Sequence, residues 1–113
     1  MLILLDGGRQ RFARPRRASV EAQLALSDRD DIFTQIEAES PRAAVHFDQQ
    51  IVHAARRLID FPESGRPGRI AGTRELVVPR TPYIAAYVMT ADTVRILRVL
   101  HGAQMWPDEI ATE

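Results

Sequence analysis

The chain contains no cysteine. Disulfides, thiolate nucleophiles and cysteine–zinc sites are therefore excluded. Lysine is absent too, so all 15 basic residues are arginine. No side-chain amine can serve as a tunable base, and guanidinium stays protonated at working pH. These arginines can clamp anions or stabilise charge, but they do not readily accept a proton. Aromatic residues make up only 6% of the chain. No apolar run reaches the roughly 20 residues of a membrane-spanning helix. The opening MLILLDGGRQRF has too short an apolar run, followed by charge, to read as a secretory signal. The expectation is a cytoplasmic protein. Formal net charge is zero, which removes any global field that would draw in nucleic acid.

What is present fits one small domain. The 113 residues, 45% of them apolar, can bury one modest core. Charge is segregated along the chain. Arg9, Arg11, Arg14, Arg16 and Arg17 crowd the N-terminus, and Asp28, Asp30, Asp31, Glu37 and Glu39 follow. A second set of arginines runs from Arg66 to Arg98.

Residues 1–16, punctuated by Gly7-Gly8 and Pro15, read as an N-terminal extension. It is expected to be flexible, or else to add Leu2 to Leu5 as an edge strand. Residues 18–22 suit a short first strand. Ala25, Ile32, Phe33 and Ile36 share one face of a helix over 24–39, with Arg29 at the stripe's edge, where its stem can snorkel. Ser40-Pro41 is a strong helix start, serine as N-cap and proline at the first helical position. Ala44, Phe47, Ile51, Ala54 and Leu58 then step by three and four to a stop at Phe61-Pro62. A glycine- and proline-rich connection leads to strands at about 73–78, 83–90 and 93–101, joined by short turns. The order strand, helix, helix, strand, strand, strand predicts an α+β fold. In it a helical hairpin lies on one face of a small antiparallel-rich sheet and leaves the other face open.

Several pieces in this order carry a resemblance. They are Ala25-Leu26-Ser27-Asp28-Arg29-Asp30-Asp31-Ile32, Ser40-Pro41-Arg42-Ala43-Ala44, and Leu58-Ile59-Asp60-Phe61-Pro62-Glu63-Ser64-Gly65-Arg66-Pro67-Gly68. Arg74-Glu75-Leu76, Tyr83-Ile84-Ala85-Ala86-Tyr87 and Ile96-Leu97-Arg98-Val99-Leu100-His101-Gly102 complete the set. Together they resemble the RelE/ParE toxin superfamily of bacterial type II toxin–antitoxin systems, on its ParE-like branch. The resemblance implies a toxin domain over 17–107, a C-terminal tail over 108–113, and a cognate antitoxin that is ParD-like and partly disordered when free. Two activities occur in the superfamily: RelE-like members cut messenger RNA on the ribosome, and ParE-like members block DNA gyrase.

RNA cleavage through the 2′-hydroxyl needs a proton acceptor, a proton donor and a cation for the phosphate charge. RelE-like toxins supply these from basic residues on the middle strands, an arginine after the first tyrosine of the third strand, and a basic or aromatic tail. Here the matching positions read Glu75, Val77 and Ile84, and the tail after His101 reads Gly102-Ala103-Gln104-Met105. The cationic set is largely missing, which points to inhibition of gyrase by binding. The alternative nuclease would use Glu75, Arg98 and His101. Strict alternation along the last strand puts Arg95 and His101 on one face and Arg98 on the other, so a single site would need a bulge.

The expected target-facing residues are Arg74, Arg95, Arg98, His101 and Trp106. The expected antitoxin-facing residues are Ile32, Phe33 and Ile36, with Arg66 and Arg69 for acidic antitoxin side chains. Tyr83 and Tyr87 are expected as core, Arg74 and Glu75 as a cross-strand pair, and His46 and His53 as surface. Neither a cofactor nor a metal is implied. Operator DNA would be met only through the antitoxin, in a toxin–antitoxin hetero-oligomer. A third reading is a non-toxic family member that acts only in that complex.

Overall fold

The computed structural model describes residues 2–6, 9–13 and 18–108. Near the N-terminus β1 (Leu2–Asp6) pairs antiparallel with β2 (Arg9–Ala13) as a two-stranded sheet of its own. The stretch from Leu2 to Leu5 thus forms a strand, but it does not extend the main sheet. Arg14, Arg16 and Arg17 lie outside the described residues.

The main body follows the expected order. It comprises β3 (Ala18–Glu21), α1 (Gln23–Glu37), α2 (Pro41–Asp60), β4 (Arg66–Pro67), β5 (Arg74–Val77), β6 (Tyr83–Met89) and β7 (Thr93–His101). The sheet order is β3-β7-β6-β5-β4, with β3 parallel to β7 and the other pairs antiparallel. Two helices on a mixed five-stranded sheet make the α+β fold that the sequence predicts. The two-residue strand β4 was not anticipated. It sits at the sheet edge, where a proline's missing N–H does least harm.

The helix starts differ. At α2, Ser40 Oγ accepts a hydrogen bond from the Ala43 N–H at 3.2 Å, and Pro41 opens the helix. Ala44, Ile51, Ala54, Ala55 and Leu58 are buried along one stripe. Helix α1 has no side-chain cap and buries only Ala25 and Ile32. Its entry is fixed from the sheet, by the Ala22 N–H donating to Ile96 O at 2.8 Å. The core between layers joins Leu58 to Tyr87, Val94, Ile96 and Val99, and burial of each aliphatic side chain among them contributes about 1.5–3 kcal/mol.

Arg29 departs from the snorkelling expectation. Its Nη1 donates to Glu21 Oε1 at 2.6 Å, and its Nε and Nη2 donate to the two Asp48 carboxylate oxygens at 3.0 Å each. One guanidinium therefore ties the end of β3 to both helices. A fork of donors suits this task better than a hydrocarbon stem would.

Two details of the sheet place the functional groups. First, Ala86 faces Arg98 while the next residue, Tyr87, faces Ile96, so Leu97 is an extra residue in β7. This bulge shifts the alternation, and Val94, Ile96 and Val99 all reach the same core. Secondly, the second sheet face is not left open. Glu75, Ala86 and Arg98 stand in one cross-strand row, and Ile84, Ala86, Leu97 and Leu100 are buried outside the inter-layer core. The loop after α2 and the C-terminal tail close over this side. The Gly102 N–H donates to Pro82 O at 2.9 Å, and the indole N–H of Trp106 donates to His101 O at 3.1 Å.

Tyr87 anchors the loop. Its side chain is fully buried, its hydroxyl donates to Pro62 O at 2.7 Å, and it accepts from the Gly65 N–H at 3.0 Å. A Cβ on residue 65 would stand 2.6 Å from that hydroxyl and 2.7 Å from Glu75 O, so only glycine fits.

Candidate functional site

Glu75 lies on β5, opposite Arg66 of β4, and is 3% exposed. Such a carboxylate must be hydrogen-bonded if it is charged. The turn-rich loop supplies the donors. Arg66 gives Nη2 at 3.0 Å and Nε at 3.4 Å to Oε1. Arg69 gives its backbone N–H at 2.7 Å and Nε at 3.0 Å to Oε2, and Nη2 at 3.3 Å to Oε1. Burial by itself would raise the Glu75 pKa. The hydrogen bonds from the Arg69 side chain and backbone and from Arg66 outweigh it, and hold the carboxyl below its ordinary value of 4.5. Glu75 is thus a saturated anion and a poor proton acceptor.

The cluster continues into the tail. The Arg69 guanidinium lies 3.7 Å from the centre of the Trp106 ring, a close cation–π stack. Arg66 and Arg69, expected to await acidic antitoxin residues, are already engaged with Glu75. The expected Arg74–Glu75 pair does not form. Arg74 Nη2 instead donates to Glu63 O at 3.1 Å and Gly65 O at 2.9 Å, which reinforces the same loop. Sequence neighbours on a strand point to opposite faces, so the pair was geometrically disfavoured.

A second cluster forms where β3 ends and leaves the edge of β7 uncovered. Asp28 of α1 fills that edge. Its carboxylate accepts from Arg98 Nε at 2.7 Å, Arg98 Nη2 at 2.9 Å and the Val99 N–H at 2.9 Å. The hydrogen bond to Asp28 raises the Arg98 pKa, so this cation is fixed. Beside the pair is a hollow of about 290 Å³ lined also by Asp31, Gln35, Tyr83 and His101. His101 packs edge-on to Tyr83, and its Nδ1 accepts from the Ala103 N–H at 3.0 Å. That acceptor role puts the proton of the neutral imidazole on Nε2, which makes its outer nitrogen a donor. Burial raises the Tyr83 pKa, so its phenol remains protonated.

The structure therefore distributes the nuclease candidates. Glu75 belongs to the Arg66–Arg69 cluster, whereas Arg98 and His101 line the hollow with two aspartates. Sequence reasoning missed Asp28, Asp31 and Gln35. Asp28 and Asp31 share an edge of α1 three residues apart, and Gln35 follows four later; that spacing was the available signal. Among the target-facing set, Arg74, Arg98, His101 and Trp106 all have partners within the fold. The Nε atoms of Arg74 and Arg95 are both buried with no hydrogen-bond partner among the described residues, but Arg74 bonds through Nη2.

Of the antitoxin-facing set, Ile32 is buried in the core and Ile36 packs against it. Phe33 instead joins Leu26, Arg29, Asp30 and Asp48 around a hollow of about 360 Å³ on the helical hairpin. Leu26 is 51% exposed there and was missed, although it precedes Phe33 by seven residues on one helix face. Among the described residues no cluster of His, Cys, Asp or Glu is arranged to hold a metal, and no helix is long and apolar enough to cross a membrane.

A helical hairpin on one side of a small mixed sheet defines a two-layer α+β domain. Comparison with known proteins makes the class specific. The family model described as the ParE toxin of the type II toxin–antitoxin system parDE matches residues 22–106. The chain belongs to the ParE toxin family. It is 46% identical over 83 residues to "Putative toxin Y4kP" of Sinorhizobium fredii, covering 74% of this chain and 85% of that protein. It is 37% identical over 81 residues to Toxin RelE2 of Caulobacter vibrioides, covering 72% of this chain and 90% of that protein. Among solved structures, a chain of the chromosomal ParDE toxin–antitoxin system of P. aeruginosa superposes with a TM-score of 0.70 at 25% identity. That match covers 76% of this chain and 96% of the other. The protein is therefore a type II toxin of the RelE/ParE superfamily, and an antitoxin partner comes with that membership.

Proposed function

We propose that this toxin acts in the cytoplasm by binding and inhibiting DNA gyrase, and that its antitoxin is a ParD-like protein partly disordered when free. The observation that carries the reading is the state of Glu75. Its carboxylate is filled by donors from Arg66 and Arg69, so the one acid expected to act as a base is occupied. His101 presents a donor outward, and Arg98 is spent on Asp28. The target-facing surface would centre on Arg95, Arg74 and the tail through Trp106. For the antitoxin, the hollow around Leu26 and Phe33 suits the apolar face of an amphipathic segment, with Asp30 and Asp48 at its rim. The test is a gyrase supercoiling assay with the purified full chain. Inhibition at stoichiometric protein, reversed by antitoxin, is expected; supercoiling unaffected by an excess would refute the reading.

A second reading has one observation in its favour. The hollow beside Arg98 and His101 also holds Asp28, Asp31 and Tyr83, so carboxylate, guanidinium, imidazole and phenol meet around one space. This would support messenger-RNA cleavage without Glu75. Primer extension after induction separates the two: discrete cuts that vanish in His101→Ala would favour the nuclease. Harmless expression without antitoxin would instead mark a non-toxic member.

A further inference from the structure

One hollow lies apart from all the groups above. It has a volume of about 350 Å³ and is lined by Gln50, His53, Ala54 and Arg57 of α2 and by Pro79 and Arg80 of the turn between β5 and β6. This is at the small end of ligand sites, which run from about 300 to 1,000 Å³. No carboxylate lines it, and Asp60 at the end of the same helix is not among its walls. The walls are therefore basic and polar, with Arg57 and Arg80 as the two cations.

The turn itself provides an independent observation. The Thr81 N–H donates to Val78 O at 3.2 Å, closing a four-residue turn with Pro79 second and Arg80 third. Arg80 has a φ of +63°, the only positive value at a non-glycine residue among those described. The third position of such a turn favours glycine or asparagine, because a Cβ there costs free energy. An arginine gives the turn no local advantage. What it does is carry a guanidinium across to α2, where Nη2 donates to Gln50 Oε1 at a long 3.4 Å. Backbone strain that stability does not explain is a pointer to use.

We propose that this hollow binds a phosphate group. Arg57 and Arg80 line it from two different elements, together with the polar side chains of His53 and Gln50, and the Arg57 guanidinium also lies 5.9 Å from the centre of the Phe61 ring. A carboxylate offers two oxygens in one plane, whereas a phosphate offers oxygens in several directions and can be shared by converging forks. The group could come from a free phosphate or from the backbone of a nucleic acid. The site does not depend on gyrase being the target.

The test uses the full chain in ¹H–¹⁵N spectra at constant ionic strength. It is titrated separately with inorganic phosphate, a short single-stranded oligonucleotide and an acidic peptide. Saturable shifts centred on Gln50, His53, Arg57 and Arg80 are expected. Tighter binding of the oligonucleotide identifies the nucleic-acid source, and saturation by inorganic phosphate alone identifies the free anion; either sustains the proposal. Arg57→Gln and Arg80→Gly should each weaken binding about tenfold, the usual scale for one charge-assisted hydrogen bond. Glycine suits the positive φ, so Arg80→Gly should melt at or above the wild-type temperature, which separates a binding role from a structural one. The proposal is overturned if phosphate and oligonucleotide give no saturable shift, if both variants bind undiminished, or if only the acidic peptide occupies the hollow.

Discussion

Replacing Tyr87 by phenylalanine removes one oxygen and leaves the ring in place. That oxygen donates to Pro62 O and accepts from the Gly65 N–H. The N–H is buried, so losing its acceptor should cost about 1–3 kcal/mol, and the carbonyl, which is less buried, adds a smaller amount. We expect Tyr87→Phe to destabilise by about 2–3 kcal/mol. For a domain of this size that lowers Tm by roughly 8–13 °C. Urea unfolding of the full chain measures it, with the m-value unchanged because the buried surface is the same. Tyr83→Phe is the control. Its ring packs against Phe47 and His101, but its hydroxyl makes no hydrogen bond among the described residues, so its loss should cost below about 1 kcal/mol. Equal losses for the two variants, or a Tyr87→Phe loss under about 0.5 kcal/mol, would refute the claim that this hydroxyl anchors the loop bearing Arg66 and Arg69.

The Glu75 cluster gives a pH dependence of defined sign. Its folded pKa lies below 4.5, so the stabilisation is complete above that pH and is lost as the pH falls through the folded value. Acid unfolding followed by the single tryptophan, Trp106, should show this limb, and Glu75→Gln should flatten it. Near neutrality Glu75→Gln should cost about 1.5–3 kcal/mol, at the lower end because Arg66 and Arg69 are exposed enough to rehydrate. A steeper acid limb in the variant would contradict the assignment. Asp28→Asn should cost about 2–3 kcal/mol, because three donors lose a charged acceptor. A double-mutant cycle with Arg98→Gln should recover a coupling of at least about 1 kcal/mol, and additivity would show that the pair is not a stabilising one.

The architecture was legible because its signals were local and redundant. Ser40-Pro41 marks a helix start by hydrogen-bond chemistry, and the α2 stripe repeats it in hydrophobic spacing. The two short turns after Val78 and Met89 force antiparallel neighbours. By contrast, the strand β4 has two residues, too few for a period, and the parallel pairing of β3 with β7 is non-local. The bulge at Leu97 was invisible for a related reason. The run Ile96-Leu97-Arg98-Val99-Leu100 reads equally well in either phase, and only the facing strand decides which residues turn inward.

The candidate site was less legible because arginine is ambiguous in sequence. Its charge marks a possible surface for anions, but the same forked donor is what a fold uses to satisfy a buried carboxylate. Arg66, Arg69 and Arg98 look alike on paper to Arg57 and Arg80. What separates them is the acid that each one meets, and that acid comes from distant elements: Asp28 lies 70 residues from Arg98. Counting basic residues therefore overstated the free cationic surface. Subtracting the arginines that neutralise internal carboxylates leaves the cations by which the protein can meet another molecule. On that accounting Arg66 and Arg69 are engaged within the fold, which leaves Arg74 and Arg95 to the proposed target-facing surface and Arg57 and Arg80 to the proposed phosphate hollow.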